Sequence, residues 1–257
     1  MHFVDTHCHL QDEQFASCLD VVLERARQAN VQTILAVGTT AANSSECVAL
    51  AARNPMLFAA VGIHPNHCNE VVAGDWERIL ALAGEKKVVA LGETGLDRYW
   101  QDVPFSTQQE FFSRHLHLSQ QTNLPFIVHM RDCDEDILVM LREARQRGAL
   151  LGVMHSFTGT QQTLEECLAL GMHVSFAGMI TYKKSDELRR IAKLVPQDRI
   201  LIETDSPYLS PHPCRSQRPN EPSLIVHTAQ CLATERGVSL EEFANQTSDN
   251  AKRLFRW

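Results

Sequence analysis

The chain begins with the run Phe3-Val4-Asp5-Thr6-His7-Cys8-His9-Leu10, and this run decides between two parallel α/β architectures. Its apolar start is typical of a buried strand, whose period of two predicts one face for Asp5, His7 and His9. An open doubly wound sheet usually carries a glycine-rich phosphate loop after its first strand. This turn carries two histidines instead, which favours a closed barrel.

Short apolar runs alternate with longer segments of helical period along the whole chain. Eight β-α units in a chain of 257 residues are the number expected for a (β/α)8 TIM-like barrel, so we predict a single α/β domain over residues 1–257. The predicted strands are 3–7, 33–38, 58–63, 88–93, 126–129, 150–155, 173–176 and 200–205. The predicted helices are 17–30, 43–54, 75–84, 106–123, 135–147, 161–170, 186–194, 222–236 and an extra C-terminal helix, 239–253.

Two segments near the C-terminus have distinct signals. Ser239 and Glu242 form a possible capping box for the last helix, which we expect to pack outside the barrel. Residues 206–222 contain prolines at 207, 211, 213, 219 and 222. Because a helix cannot propagate through that spacing, we predict a long, stiffened loop at the rim near strand eight.

Composition restricts the class of protein. The chain is 44% hydrophobic and 21% charged, which is ordinary for a globular protein, and its net charge of −7 argues against broad attraction to polyanions. Its eight cysteines contain no C-x-x-C pair, and neither a signal peptide nor a membrane-length apolar run is recognisable. We therefore expect a cytoplasmic protein with no membrane association and no obligate protein partner.

Metal-binding types of side chain stand at the ends of five predicted strands, where barrel active sites are assembled. Each histidine alone is better explained as a core residue, and a glutamate at a strand end could instead cap a helix or form a buried ion pair. Together, imidazoles and carboxylates are the ligands with which two divalent metals activate water, so the set predicts a hydrolase. The candidate ligands are His7, His9, Glu93, His129, His155 and Asp205.

A series of motifs in this order resembles that of the TatD family of metal-dependent deoxyribonucleases over essentially the whole chain. The resemblance implies a distorted barrel of the amidohydrolase type and phosphodiester cleavage, often as an exonuclease from the 3′ end. The motifs are Asp5-Thr6-His7-Cys8-His9, Gly62-Ile63-His64-Pro65, Gly92-Glu93-Thr94-Gly95-Leu96-Asp97, the strand-end His129, His155-Ser156-Phe157-Thr158-Gly159 and Glu203-Thr204-Asp205-Ser206-Pro207-Tyr208-Leu209.

The resemblance also implies how the ligands divide between two ions. Glu93 bridges the ions with its two oxygens. One ion is held by His7, His9, Glu93 and Asp205, and the other by Glu93, His129 and His155. Since the chemistry requires a group that takes the proton of the attacking water, we assign Asp205 as general base beside its ligand role, with Glu93 as the second catalytic carboxylate. Imidazoles favour zinc, manganese, cobalt or nickel, whereas carboxylates and a phosphate substrate also suit magnesium.

Other residues are candidates for substrate binding. His64 could contact a phosphate or simply bond its own turn, and Arg131 could bind a phosphate or pair with a neighbouring aspartate. Tyr208 could stack on a base while Arg218 and Arg215 neutralise the nucleic-acid backbone, although ordinary loop packing explains them equally well.

The substrate is the remaining question. We predict that the protein hydrolyses DNA at single-stranded ends, because a site at a barrel mouth admits a frayed terminus. The family resemblance implies that it works from the 3′ end. The alternative is a small-molecule amidohydrolase or lactonase on the same two-metal barrel, since a fold alone fixes no substrate. A noncatalytic binding protein is less consistent with the chain, because all the ligands and the closing Asp205 are retained.

Overall fold

Eight parallel strands form one sheet whose spatial order follows the chain, in a computed structural model that describes residues 1–257. The predicted (β/α)8 barrel is therefore confirmed. The strands are β1 (Phe3–Cys8), β2 (Val31–Val37), β3 (Leu57–Val61), β4 (Val88–Asp97), β5 (Phe126–Arg131), β6 (Gly152–Met154), β7 (His173–Phe176) and β8 (Ile200–Ile202).

Helices alternate with the strands and cover the outside of the barrel. Short 3₁₀ turns at Glu13–Phe15, Pro65–Glu70, Gly178–Thr181 and Pro222–Leu224 join some of them to the strands. The helices are α1 (Leu19–Gln28), α2 (Ala41–Arg53), α3 (Asp75–Leu82), α4 (Phe105–Thr122), α5 (Asp134–Arg147), α6 (Gln161–Ala169), α7 (Asp186–Leu194), α8 (Ile225–Arg236) and α9 (Leu240–Phe255).

The barrel closes where the chain leaves β8. The amide of Glu203 still donates to Phe176 on β7, at 3.2 Å, but the amide of Asp205 donates to His7 on β1, at 2.9 Å. One residue further, Ser206 forms a parallel bridge with Cys8. The backbone thus crosses from one neighbouring strand to the other, which ends β8 earlier than predicted and leaves Asp205 beyond it. β6 likewise ends one residue before His155.

The two faces of most strands belong to different cores. On β2, Ile34 and Ala36 pack in the large outer core with the helices, whereas Leu35 and Val37 belong to a smaller inner cluster. This alternation is the period of two expected for a strand covered on both faces. The inner cluster fills the lower barrel, so the polar residues that follow on the same faces line its upper end.

An irregularity in β1 corrects one expectation. Asp5 does not join His7 and His9, because its two oxygens accept hydrogen bonds from the amide and the hydroxyl of Thr204, at 2.9 and 2.6 Å. Between Asp5 and Cys8, three residue steps of β1 run beside two of β2. Such a bulge interrupts the period of two, which the sequence pattern alone does not reveal.

The last helix covers the end of the barrel rather than its side. Ser239 caps α9 by accepting the amide of Glu242 at 3.1 Å, as predicted, although the reciprocal half of the capping box is not formed. Leu254 and Phe255 pack in the inner cluster, and Asn250 donates to the carbonyl that begins β8, at Ile200. The helix therefore closes the end at which the strands begin.

Two further observations concern the whole chain. No helix combines the length and the apolar character needed to cross a membrane. All eight cysteines are free thiols.

Residues 206–221 contain no helix or strand, as the proline spacing predicts, and they border the open end of the barrel.

Candidate metal centre

The open end of the barrel contains a cavity of about 950 Å³. Only five of its 23 lining residues are hydrophobic, so this is a polar site. His7 lies fully buried beneath it, stacked on His155 with ring centroids 4.1 Å apart. The predicted site residues that line the cavity are His9, His64, Glu93, His129, Arg131, His155, Asp205 and Tyr208.

Glu93 stands at the centre, and its Oε2 atom faces the first group of candidate ligands. The Nε2 atoms of His7 and His9 lie 3.3 and 3.7 Å from this oxygen and 3.2 Å from each other. Asp205 completes the group, with Oδ1 lying 3.8 Å from His7 Nε2 and 3.5 Å from His9 Nε2.

The Oε1 atom of Glu93 faces the second group. His155 Nε2 lies 2.9 Å from this oxygen and His129 Nδ1 lies 3.0 Å from it, with 3.5 Å between the two nitrogens. The two oxygens of one buried carboxylate thus face two separate sets of imidazoles. The structure brings together all six residues that the sequence singled out.

The spacing of these donors suits a divalent cation. Four donors around an ion, each about 2.1 Å away, lie roughly 3.4 Å apart in a tetrahedral arrangement. His7 Nε2, His9 Nε2 and Asp205 Oδ1 are separated from one another by 3.2 to 3.8 Å, so these three donors have the spacing of ligands to one ion. Nitrogen and carboxylate donors in this mixture are typical ligands of zinc and manganese.

Hydrogen bonding behind two of the rings strengthens this assignment. His9 Nδ1 bonds the carbonyl of Val37 at 2.9 Å, which only an N–H can do, so the Nε2 of the neutral ring turns a lone pair toward Glu93 and Asp205. His129 lies between two carboxylates, with Nε2 3.0 Å from Asp97 Oδ2. A neutral ring has one N–H, so one of its nitrogens meets a carboxylate with a lone pair. At His9 and at His129, a ring nitrogen lone pair therefore faces a carboxylate, and this arrangement requires a positive charge between the two, from a proton or a metal.

His64 has the opposite arrangement. Its Nδ1 accepts the amide of Asn66 at 3.1 Å, so the proton of the neutral ring is on Nε2, which lies 3.3 Å from Glu93 Oε1. Burial lowers the pKa of His64 to about 4. This ring therefore presents an N–H donor to the cavity rather than a lone pair for an ion.

The carboxylates are held in their charged form. Burial by itself would raise the pKa of Glu93, but the surrounding imidazoles, chiefly that of His155, outweigh burial and hold this pKa well below its usual value. For Asp205, burial is likewise outweighed, by the hydrogen bond from His9 and nearby imidazole charges, so its pKa is lowered. Both side chains are anions wherever the protein is folded near neutral pH.

The imidazoles differ from one another. Burial disfavours charge on all of them, yet the partners of His9, His129 and His155 more than compensate, so the pKa of each is raised. Burial prevails at His7, whose pKa is lowered. In the absence of a cation, protons on the first three rings separate the anions, so metal binding would release protons.

Sequence reasoning missed two carboxylates that support the histidines. Asp97, 1% exposed, bonds His129, and Glu203, also 1% exposed, places Oε1 3.3 Å from His155 Nδ1. Acidic partners of this kind orient metal-binding histidines. Asp97 follows Glu93 at an even spacing on β4, and Glu203 precedes Asp205 by two residues. The period of two therefore contained a signal for both.

The substrate-binding candidates are placed differently. Arg131 stacks on Tyr99, with its guanidinium carbon 3.7 Å from the ring centroid, rather than pairing with an aspartate. Tyr208 borders the cavity and is 52% exposed. Arg218 lies outside the lining and bonds Ser210 Oγ of its own loop at 2.6 Å, so its contact with substrate stays a prediction.

Comparisons with known proteins agree with this geometry. A family model described as TatD related DNase matches residues 4–256. The uncharacterized metal-dependent hydrolase YcfH of Escherichia coli (strain K12) is 40% identical over 258 residues, covering 99% of this chain and 96% of that protein. The 3′-5′ ssDNA/RNA exonuclease TatD of Pantoea vagans is 37% identical over 260 residues and 98% of each chain. The crystal structure of YjjV, a TatD homolog from Escherichia coli, superposes with a TM-score of 0.92 at 31% identity, covering 99% of this chain and 98% of that chain.

Proposed function

The chain belongs to the TatD-related DNase family of metal-dependent hydrolases, and from this premise we propose that it is a 3′-5′ exonuclease acting on single-stranded DNA ends. One observation carries the proposal: the two oxygens of Glu93 face different pairs of imidazoles, with oxygen–nitrogen distances of 2.9 to 3.7 Å. That arrangement suits two ions bridged by one carboxylate, as phosphodiester hydrolysis often requires.

The residues would divide the work as follows. When bound, two divalent cations lower the pKa of water and polarise a phosphoryl oxygen. Asp205 is the general base: its side chain is 13% exposed at the cavity wall, and its lowered pKa means that the carboxylate is ionised when the attacking water arrives. One ion would be held by His7, His9, Glu93 and Asp205, and the other by Glu93, His129 and His155.

The neutral His64 has a different role in this scheme. Its Nε2–H lies at the cavity wall, 3.3 Å from Glu93 Oε1, where an incoming phosphate oxygen can replace Glu93 as the acceptor. Because the ring is neutral, the contact adds direction without adding charge. This supports the expectation that His64 binds substrate.

The lining of the cavity favours a phosphodiester over the small-molecule alternative. Pockets for small ligands are lined mostly by hydrophobic residues, whereas 18 of the 23 residues that line this cavity are of other types. Arg131 also leaves its charge at the rim, because its guanidinium lies over the Tyr99 ring and forms no ion pair with a carboxylate. A guanidinium of this kind suits a phosphate.

Cleavage of a labelled strand tests the proposal. The purified protein is incubated with a 5′-labelled single-stranded oligonucleotide and zinc, manganese or magnesium, and we expect a ladder that shortens from the 3′ end. The Asp205→Asn variant should lose roughly 10²- to 10⁴-fold in rate because it lacks the base. Asp198→Asn, an exposed position just before β8, is the control. An intact strand with every metal, together with turnover of lactones or amides, would establish the alternative.

Metal content tests the two-ion arrangement separately. We expect two ions per wild-type chain by plasma mass spectrometry. His9→Ala and His129→Ala should each lose one, because the two rings face different oxygens of Glu93. A single ion in the wild type would contradict a bridging role for Glu93.

A further inference from the structure

Three side chains form a feature at the rim, and the proposed function uses only one of them, Arg131. Tyr99 and Trp100 follow the end of β4 and are 52% and 50% exposed, although aromatic rings of this size are usually buried. The guanidinium of Arg131 lies 3.7 Å from the Tyr99 ring centroid and 5.9 Å from that of Trp100. We refer to Tyr99, Trp100 and Arg131 as the aromatic step.

The aromatic step is fixed in position by a carboxylate of the metal centre. Asp97 Oδ1 accepts the amides of Tyr99 and Trp100, at 2.8 and 3.0 Å. The other oxygen, Oδ2, bonds His129 Nε2 at 3.0 Å. One buried side chain therefore sets both the orientation of a candidate ligand and the start of the turn that carries the two rings.

The position of the step suits a chain that enters the cavity. Trp100 and Arg131 line the cavity that contains Glu93. Tyr208, the other exposed aromatic residue of the lining, follows β8, and β4 and β8 lie four strands apart in a ring of eight. The two exposed rings therefore stand across the mouth from one another.

We propose that Trp100, supported by Tyr99 and Arg131, is the platform on which a base of the single-stranded substrate stacks while its phosphodiester enters the cavity. The inference rests on the proposed function. A flat exposed ring stacks on any base, and an adjacent guanidinium neutralises the phosphate that follows it. In a duplex the base faces are already covered by their neighbours, so the platform selects single strands and frayed ends.

Tryptophan fluorescence tests the platform without hydrolysis. The metal-loaded protein is titrated with a phosphorothioate oligothymidylate, which resists cleavage. Because Trp100 is half exposed, stacking on a base should quench its emission, and Trp100→Phe should remove most of that quenching while keeping most of the affinity. Trp100→Leu retains apolar area but has no ring, so its affinity should fall roughly ten- to hundredfold.

Substrate lacking a base provides the second measurement. Abasic positions near the 3′ end should raise KM for the wild type but have little further effect on Trp100→Leu, because the partner of the missing base is already absent. Undiminished quenching in Trp100→Phe, or wild-type affinity in Trp100→Leu, would overturn the platform and leave the exonuclease proposal intact. A wild type that neither binds nor cleaves any oligonucleotide would overturn both.

Discussion

At the scale of single residues, Glu203 shows how a side chain outside the cavity can govern metal binding. It is buried behind His155, with Oε1 3.3 Å from His155 Nδ1. The same oxygen accepts a hydrogen bond from the amide of Ser156 at 2.6 Å. Glu203→Gln keeps the shape and removes the charge. We expect metal affinity to fall roughly 10- to 100-fold with the fold retained, measured by calorimetric titration of chelator-treated protein.

A second buried glutamate provides the matched control for this prediction. Glu221 is 5% exposed and pairs with Arg25 on α1, outside the cavity lining. Glu221→Gln should lower the free energy of unfolding and leave metal affinity at the wild-type value. Equal affinities in the two variants would mean that Glu203 has only a structural role.

The candidate ligands could be predicted from the sequence because each stands at or near the end of an apolar run and strand ends meet at one rim. Which nitrogen of each histidine ring carries the proton could not be predicted from the sequence. In their neutral forms, His9 turns a lone pair into the site whereas His64 turns an N–H into it, and this difference follows from bonds to Val37 and Asn66. Those bonds depend on backbone positions that no spacing of residue types specifies.

At the scale of elements, the packing of β4 against β5 depends on a residue with no side chain. Gly95 has φ +139°, and a Cβ atom there would lie 2.0 Å from the carbonyl oxygen of His129. Gly95→Ala must therefore push β4 and β5 apart at the point where they carry Glu93 and His129. We expect a loss of about 2–5 kcal/mol in the free energy of unfolding and loss of the ion that we propose His129 binds, measured by urea denaturation and metal analysis.

Gly74 provides a control that distinguishes backbone strain at a positive φ from a steric clash of the added Cβ atom. It also has a positive φ, +95°, but a Cβ atom there would meet nothing within 4 Å. Gly74→Ala should cost only about 1–2 kcal/mol and leave the metal content unchanged. If Gly95→Ala behaves in the same way, close strand approach is not what positions His129.

Helix α4 is joined to the end of β3 through a buried histidine. His115 Nδ1 donates to the carbonyl of Phe111 at 2.7 Å, and its Nε2 accepts the amide of Ile63 at 3.2 Å. Burial lowers the pKa of His115 from 6.5 to about 4. The unfolded chain therefore binds this proton at a higher pH than the native protein does, so stability falls as pH decreases through that interval.

The contribution of His115 should be measurable as a difference between variants. It is fully present above pH 6.5, and about 3 kcal/mol is lost by pH 4. In His115→Gln, urea denaturation between pH 7 and 4 should show a flatter decline than in the wild type. His117→Gln, an exposed position on the same helix, is the control. Parallel declines for His115→Gln and wild type would show that this ring does not titrate on unfolding.

Element positions could be predicted from the alternation of apolar runs and helical periods, but the ends of β6 and β8 could not. Both strands stop before the predicted ligand, and after β8 the amide of Asp205 bonds His7 on β1 rather than β7. Where a strand ends is decided by which neighbour its next amide meets. That neighbour is distant in sequence, so a local pattern contains no information about it.

At the scale of the whole molecule, the residues proposed to bind metal lie at one end of the barrel axis, and a large apolar cluster that stabilises the fold lies at the other. The open end gathers buried charges and imidazoles around Glu93, which is costly without a cation. The opposite end is filled by apolar residues of α9 and the strand starts. The sequence predicted the extra helix from its capping signal, but its docking position depends on the shape of the finished barrel and could not be predicted.

Phe255 allows this separation to be measured. It is 2% exposed in the inner cluster, and Trp257 stacks on it with ring centroids 4.9 Å apart. Phe255→Ala should lower the free energy of unfolding by about 3–5 kcal/mol, because the cavity it leaves cannot refill from a closed barrel end. Metal content and kcat at 25 °C should stay close to the wild type, since none of the proposed ligands packs against this side chain. Arg256→Ala, at an exposed neighbouring position, should leave the free energy of unfolding, the metal content and kcat unchanged. A large fall in metal affinity in Phe255→Ala would mean that the two ends are coupled through the strands, so that packing of α9 helps to position the ligands at the other end.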